Sequence, residues 1–155
     1  MAEINAKLTL KGWDTAQLAA RVPQIIRAYG DVMDRQLKEE IKAVQFDWPR
    51  KTRRRNGSTV YSPRDIVDTG NFLRSQRREY PDATTLKFTW DAKSKGGFMY
   101  AGLILTGYVL TGKRADGSAY SIAMPPRNWI KPALDKYPLN EFFIREWRRL
   151  ARTGA

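Results

Sequence analysis

Cysteine and histidine are both missing from the 155 residues. Their absence removes disulfide staples, thiolate nucleophiles, Cys/His zinc sites, an imidazole general base and any histidine titration near neutral pH. Carboxylates are scarce too: 16 acidic residues against 28 basic ones leave a formal charge of +12. That excess calls for an acidic partner, nucleic acid or a negatively charged protein surface, and is silent on the fold. Long hydrophobic runs are lacking; none approaches the roughly 20 residues that span a bilayer. The start, Met1-Ala2-Glu3-Ile4-Asn5, has neither the basic nor the apolar region of a secretory signal. The expectation is a protein made in the cytoplasm with no membrane partner.

What is present suits a folded chain. The hydrophobic fraction is 42%, with 5 Trp, 7 Tyr and 6 Phe, enough for one domain over residues 1–155 with a buried core. Ile4, Ala6, Leu8 and Leu10 alternate with polar residues, as in a strand with one buried face. Asp14 is placed to cap a short turn around Leu18 and Ala19, and Pro23 suits the first turn of a longer helix. From Val22 to about Phe46, Val22, Ile25, Ile26, Tyr29, Met33, Leu37, Ile41 and Val44 recur every three or four residues. This predicts a long amphipathic helix, with Gly30 as a soft spot costing about 1 kcal/mol relative to alanine.

Residues 47–63 show no periodicity and are strongly basic, carrying Arg50, Lys51, Arg53, Arg54 and Arg55 beside Trp48. They are expected to form a long, flexible, functional loop. A short helix is predicted from the Asp68 region through about Arg77, and a second half-buried strand over Thr84–Trp90. Phe98–Leu110 is ambiguous, with a strand giving way to a helical turn near Gly102. Lys113–Ser118 reads as a hairpin tip because Asp116-Gly117 favours a tight reversal, and Tyr120–Met124 as the returning strand. Leu139–Arg152 is amphipathic, with arginines in the last turns that complement the helix dipole. The sum is an α+β domain: an antiparallel sheet of about four strands packed against a long N-terminal helix and a C-terminal helix.

Two short segments carry most of the specific information. In Asp65-Ile66-Val67-Asp68-Thr69-Gly70-Asn71-Phe72-Leu73-Arg74-Ser75, Asp68 or Thr69 can cap the following helix while Gly70 permits a tight turn into it. Met124-Pro125-Pro126-Arg127-Asn128-Trp129-Ile130-Lys131-Pro132-Ala133-Leu134 is stiffened by three prolines and carries two large apolar residues that need burial. With Tyr100-Ala101-Gly102 and Thr106-Gly107 between them, these segments resemble the neck or tail-completion proteins of tailed bacteriophages. That family carries Val-Asp-Thr-Gly-x-Leu-x-x-Ser, Tyr-Ala-x-x-x-x-x-Gly and Pro-x-Arg-x-Phe-x-x-Pro-Ala-Leu runs in this order; Trp129 stands here in place of the Phe.

The resemblance covers roughly residues 14–152 and implies a virion structural protein without enzymatic activity or cofactor. It would join head to tail, or complete the tail, as a hexameric ring contacting portal or tail-tube proteins. The sequence by itself implies only symmetric self-association. Pro125, Pro126, Arg127, Trp129, Ile130 and Pro132 are the expected subunit interface, with Trp129 as the anchor; the alternative has Trp129 cap the chain's own core, and both hold if the segment lies at a rim between subunits. Arg50, Lys51, Arg53, Arg54 and Arg55 are the expected docking loop, for an acidic protein or for non-specific contact with DNA. Two other functions compete. A histidine-free basic ribonuclease would use Arg53, Arg54 and Tyr61 on a phosphate, and a DNA-binding module would bind the backbone in a salt-sensitive way. An aspartic protease needs two facing Asp-Thr/Ser-Gly carboxylates; this chain has one such tripeptide.

Overall fold

The long helix is the centre of the molecule. In the computed structural model, which describes residues 2–7, 15–43, 45–47, 51–54, 57–65, 70–94 and 96–153, helix α1 runs Thr15–Ala43, about 43 Å at 1.5 Å per residue. Val22, Ile25, Ile26, Tyr29, Met33, Leu37 and Ile41 are all buried along one stripe; Val44, the last position of the expected stripe, lies outside the described residues. The helix does not begin at Pro23, as the sequence suggests, but runs through it. An internal proline costs about 3 kcal/mol or more, and burying Val22, Ile25 and Ile26 around it returns about 1.5–3 kcal/mol each.

Strand β1 (Ala2–Lys7) lies beside the later strands β6 (Gln76–Asp82) and β7 (Thr85–Trp90) in one antiparallel sheet of order β1-β7-β6. The β1–β7 pairing runs in register from Ala2 opposite Trp90 to Lys7 opposite Thr85. Central β7 points Leu86, Phe88 and Trp90 into the core, the alternation expected from the sequence. β6 is an unexpected element, because the predicted helix over this region stops early. Helix α2 spans only Asn71–Arg74; the Ser75 hydroxyl donates to the Phe72 carbonyl at 2.8 Å, and Gln76 already belongs to the sheet. Pro81 is tolerated because β6 is an edge strand, and its pairing with β7 slips between Glu79 and Asp82.

β6 is tied to α1 by polar contacts. The Gln76 side-chain amide donates to Asp34 Oδ1 (2.9 Å) and to the Asp34 carbonyl (3.0 Å). Lys38 pairs with Asp34 at 2.8 Å and Arg78 with Asp31 at 2.6 Å. Tyr80 lies between Arg27 and Arg78, whose guanidinium groups sit 5.3 and 5.6 Å from its ring centre. Gly30 faces this ring, and a methyl group there would overlap the Tyr80 hydroxyl. The soft spot in the helix is therefore where the Tyr80 side chain of β6 packs against it.

The remaining elements are short strands β2 (Gln45–Phe46), β3 (Thr52–Arg53), β4 (Thr59–Val60) and β5 (Arg64–Asp65), helix α3 (Ala101–Thr106), strands β8 (Tyr108–Lys113) and β9 (Ala119–Met124), and helices α4 (Ile130–Lys136) and α5 (Leu139–Thr153). α4 and α5 pack against α1, where Tyr29 meets Phe142 edge-on at 5.1 Å and donates its hydroxyl hydrogen to the Tyr137 carbonyl at 2.9 Å. The architecture is α+β with the two predicted helices in place. The strands are distributed differently from the expected single sheet: three form the main sheet, and β8–β9 forms a separate two-stranded ladder. No helix among the described residues is long and apolar enough to cross a membrane.

Candidate functional site

The three motif segments meet in one joint. Phe72, just inside α2, packs edge-on against Trp129 with ring centres 4.9 Å apart, and Trp129 packs edge-on against Trp90 at 5.4 Å. Tyr100 closes on Phe72 at 6.4 Å, and the Asn71 side-chain amide donates to the Tyr100 hydroxyl at 3.2 Å. Ala101 is fully buried below them. Gly107, at φ 78°, is crossed by the proline-rich segment: a Cβ there would stand 2.8 Å from the Met124 carbonyl oxygen and 3.0 Å from the Pro126 nitrogen. The Arg127 backbone N–H donates to the Ile104 carbonyl at 2.9 Å, fixing the segment against α3.

This geometry corrects the expected anchor. Trp129 is 0% exposed and is a core residue of its own chain, because two aromatic rings and not solvent receive it. Arg127 is buried as well; desolvation lowers the pKa of its guanidinium, an effect that Tyr108 opposes. Pro125 and Ile130 are half-buried, so only Pro126 and Pro132 of the expected interface residues face solvent, beside Asn128, Lys131 and Leu134. Asn128 has a role the sequence reading missed. Its side-chain oxygen accepts hydrogen bonds from the Ile130 and Lys131 backbone N–H groups, both at 3.0 Å, and so caps the first turn of α4. The signal was an Asn directly ahead of an apolar pair.

At the other motif, Gly70 precedes α2 with φ 72° and ψ 2°, the left-handed turn expected of it. Asp68 and Thr69, the expected caps, lie outside the described residues.

Two hairpins project from this frame and share one turn chemistry. In the first, the Arg54 N–H donates to the Ser58 carbonyl (2.8 Å) and the Gly57 N–H to the Arg54 carbonyl (3.0 Å), with Gly57 at φ 85°. In the second, Arg114, Ser118 and Gly117 repeat the pattern at 2.8 and 2.9 Å, with φ 82°. The parallel is visible in the sequence as Arg54-Arg55-Asn56-Gly57-Ser58 and Arg114-Ala115-Asp116-Gly117-Ser118. Each glycine holds the left-handed position that a four-residue reversal requires. In the second turn the Asp116 carboxylate accepts from the Ser118 hydroxyl (2.6 Å) and N–H (2.9 Å), which lowers its pKa.

Where described, the irregular loop expected over residues 47–63 contains a short hairpin. Gln45 and Phe46 pair with Asp65 and Arg64, then Thr52 and Arg53 with Val60 and Thr59. Two-residue strands are too short to leave a periodic signal, so composition alone suggested a loop. Lys51 and Arg53 are exposed and Arg54 half-buried; Arg50 and Arg55 lie outside the described residues. Lys51 sits 5.3 Å from the ring centre of Tyr61, which is 59% exposed.

The second hairpin, β8–β9, pairs from Tyr108 opposite Met124 to Lys113 opposite Ala119. Its alternation puts Tyr108, Leu110, Tyr120, Ile122 and Met124 on one face. The Tyr120 ring lies across Gly112, within 2.6–2.8 Å of where a Cβ would be. Met124 is buried at the base, but Leu110 is 42% exposed and Val109, on the opposite face, 61% exposed. Neither outer edge of this ladder is paired among the described residues.

A third surface is the outer face of α5. Arg145, Arg148, Arg149 and Arg152 are exposed there, around Ile144, while Phe142, Phe143 and Leu150 are buried on the inner face. In comparisons with known proteins, the chain matches no family model, no curated protein and no solved structure.

Proposed function

We propose that this chain is a ring-forming structural protein of the neck of a tailed bacteriophage, joining head to tail or completing the tail. It would be assembled in the host cytoplasm and carried in the virion. The observation that carries the reading is the β8–β9 hairpin: a two-stranded ladder whose two edges are unpaired among the described residues, with Val109 and Leu110 exposed. An isolated two-stranded hairpin is at best marginally stable in water, and unpaired edges recruit further strands. Such an arm has a physical rationale when a neighbouring subunit completes it. The joint of Phe72, Tyr100, Gly107 and Trp129 supports the same reading. The residues that resemble the neck family are those that hold the base of the β8–β9 hairpin and the proline-rich segment to the core.

The interface assignment accordingly moves from Trp129 to the hairpins and to the exposed rim at Pro126 and Pro132. Work is done by binding geometry: each copy completes its neighbour's arm, and the closed ring offers a docking surface to portal or tail-tube proteins. Light scattering of the purified chain across a concentration series, with electron microscopy of the largest species, tests this. A closed ring, six-fold by the resemblance, that is lost on Leu110→Asp with the melting temperature unchanged is the expected result. A monomer at every concentration, alone and with tail-tube or portal protein added, would overturn it.

A further inference from the structure

The amphipathic pattern of α5 sets its arginines on or near the side opposite its apolar residues, and in the fold that side is exposed. Arg145, Arg148, Arg149 and Arg152 follow the i, i+3, i+4, i+7 spacing of a single helix face, over about 10.5 Å. Two acidic residues, Glu141 and Glu146, are set among them; the Glu146 side chain is 15% exposed and pairs with Arg149 at 2.7 Å and Arg145 at 3.6 Å. Among the described residues no carboxylate lies within salt-bridge distance of Arg148 or Arg152. The long side chains wall a shallow depression of about 670 Å³ that includes Ile144. On the inner side, Arg21 of α1 stacks 5.3 Å from the Trp147 ring centre and adds another cation beside the helix.

We infer that this face is a contact site for the phosphate backbone of duplex DNA, bound without sequence preference. Such a contact does not depend on ring formation. Along one DNA strand a phosphate recurs about every 3.4 Å of axis, so the stripe spans about three phosphates. All four cations are arginine, whose planar fork matches phosphate oxygens bidentately. A protein partner fits less well, because interface cores are depleted of charge and built on aromatic or aliphatic anchors. Here Ile144 is the exposed large apolar residue on the helix. A lipid surface fits less well again, since the apolar face that would enter it is buried against the chain's own core.

The test is fluorescence anisotropy of a labelled duplex of about 20 base pairs with the full chain, from about 50 to 200 mM salt. Each lost phosphate contact lowers the slope of log affinity against log salt by about 0.9. Arg148→Gln/Arg152→Gln should therefore reduce the slope by about 2 and weaken binding about tenfold or more at low salt, with an unchanged melting temperature. Lys51→Gln/Arg53→Gln, on the first hairpin, should leave most of the binding in place. The inference is overturned if the wild-type chain does not bind the duplex, if the α5 variant keeps the wild-type slope, or if the hairpin variant takes the whole loss. Equal binding of polyglutamate with the same dependence on Arg148 and Arg152 would assign the face to an acidic protein and overturn it as well. Ring formation, read by light scattering on the same variants, decides the neck reading separately.

Discussion

The joint around Trp129 and the β8–β9 hairpin treat apolar side chains in opposite ways. In the joint, Phe72, Trp90 and Trp129 satisfy one another within the chain. In the hairpin, Leu110 and Val109 face solvent on a ladder that no other strand among the described residues extends. Aromatic residues next to prolines draw attention to the joint as a surface for a partner, yet the exposed apolar groups stand on the plainer segment. A large ring is worth most where it is fully desolvated, so the chain keeps it, and leaves smaller aliphatic groups outside where their exposure is affordable.

The contrast is broken most severely at its buried end. Trp129→Ala should cost about 3–5 kcal/mol, as for other buried aromatics, and lower the melting temperature of the isolated chain whether or not it assembles. Thermal melts check this, and a wild-type melting curve would return Trp129 to the surface. Next is Gly107→Ala, which forces a Cβ against the Met124 carbonyl oxygen at a left-handed position. A loss of about 1–3 kcal/mol is expected, typical of overpacking, and denaturant titration measures it.

Gly30→Ala sharpens the comparison because two effects compete. Helix propensity favours alanine by about 1 kcal/mol, but the methyl overlaps the Tyr80 hydroxyl. Net destabilisation is expected in the wild-type background, and a smaller loss in Tyr80→Phe. Equal effects in the two backgrounds, in a double-mutant cycle, would show that β6 does not press on α1 here. At the exposed end, Leu110→Asp should change stability within about 0.5 kcal/mol while abolishing higher oligomers in light scattering.

The smallest effect is electrostatic. Burial would raise the Asp34 carboxyl, but hydrogen bonds from Lys38 and Gln76 and the charges of Lys38 and Arg78 outweigh it and hold its pKa below 3.8. A depressed carboxylate contributes stability that is present above its unfolded pKa and lost as pH falls through its folded one. Asp34→Asn should therefore destabilise by about 1 kcal/mol or less at neutral pH, and the difference from wild type should shrink below about pH 4. Melting temperatures at pH 7 and pH 3 would reveal it.

Local rules carried much of the reading. The α1 stripe, the α5 amphipathic pattern, the alternation of β7 and the Asp116-Gly117 turn are each written within a few residues, because helix and strand periods and left-handed glycines act over that range. β6 escaped because Gln76-Arg77-Arg78-Glu79-Tyr80-Pro81-Asp82 has neither alternation nor a proline-free run. An edge strand needs neither, since its charges guard the edge and Pro81 gives up a hydrogen bond the edge can spare. The candidate site was less legible: the basic run at residues 47–63 and the proline-rich segment were found as segments, but their form and burial were not.

The α+β class, the two amphipathic helices, the positive charge and the places where the chain must turn are all written in the amino-acid sequence. All of these depend on neighbours in the chain or on composition. Tertiary contacts were needed to bring Trp129 into the core, to set Tyr80 against Gly30 and to hold β8–β9 apart from the main sheet. Those outcomes depend on which distant surfaces meet, and burial follows from that meeting and not from the residue type alone.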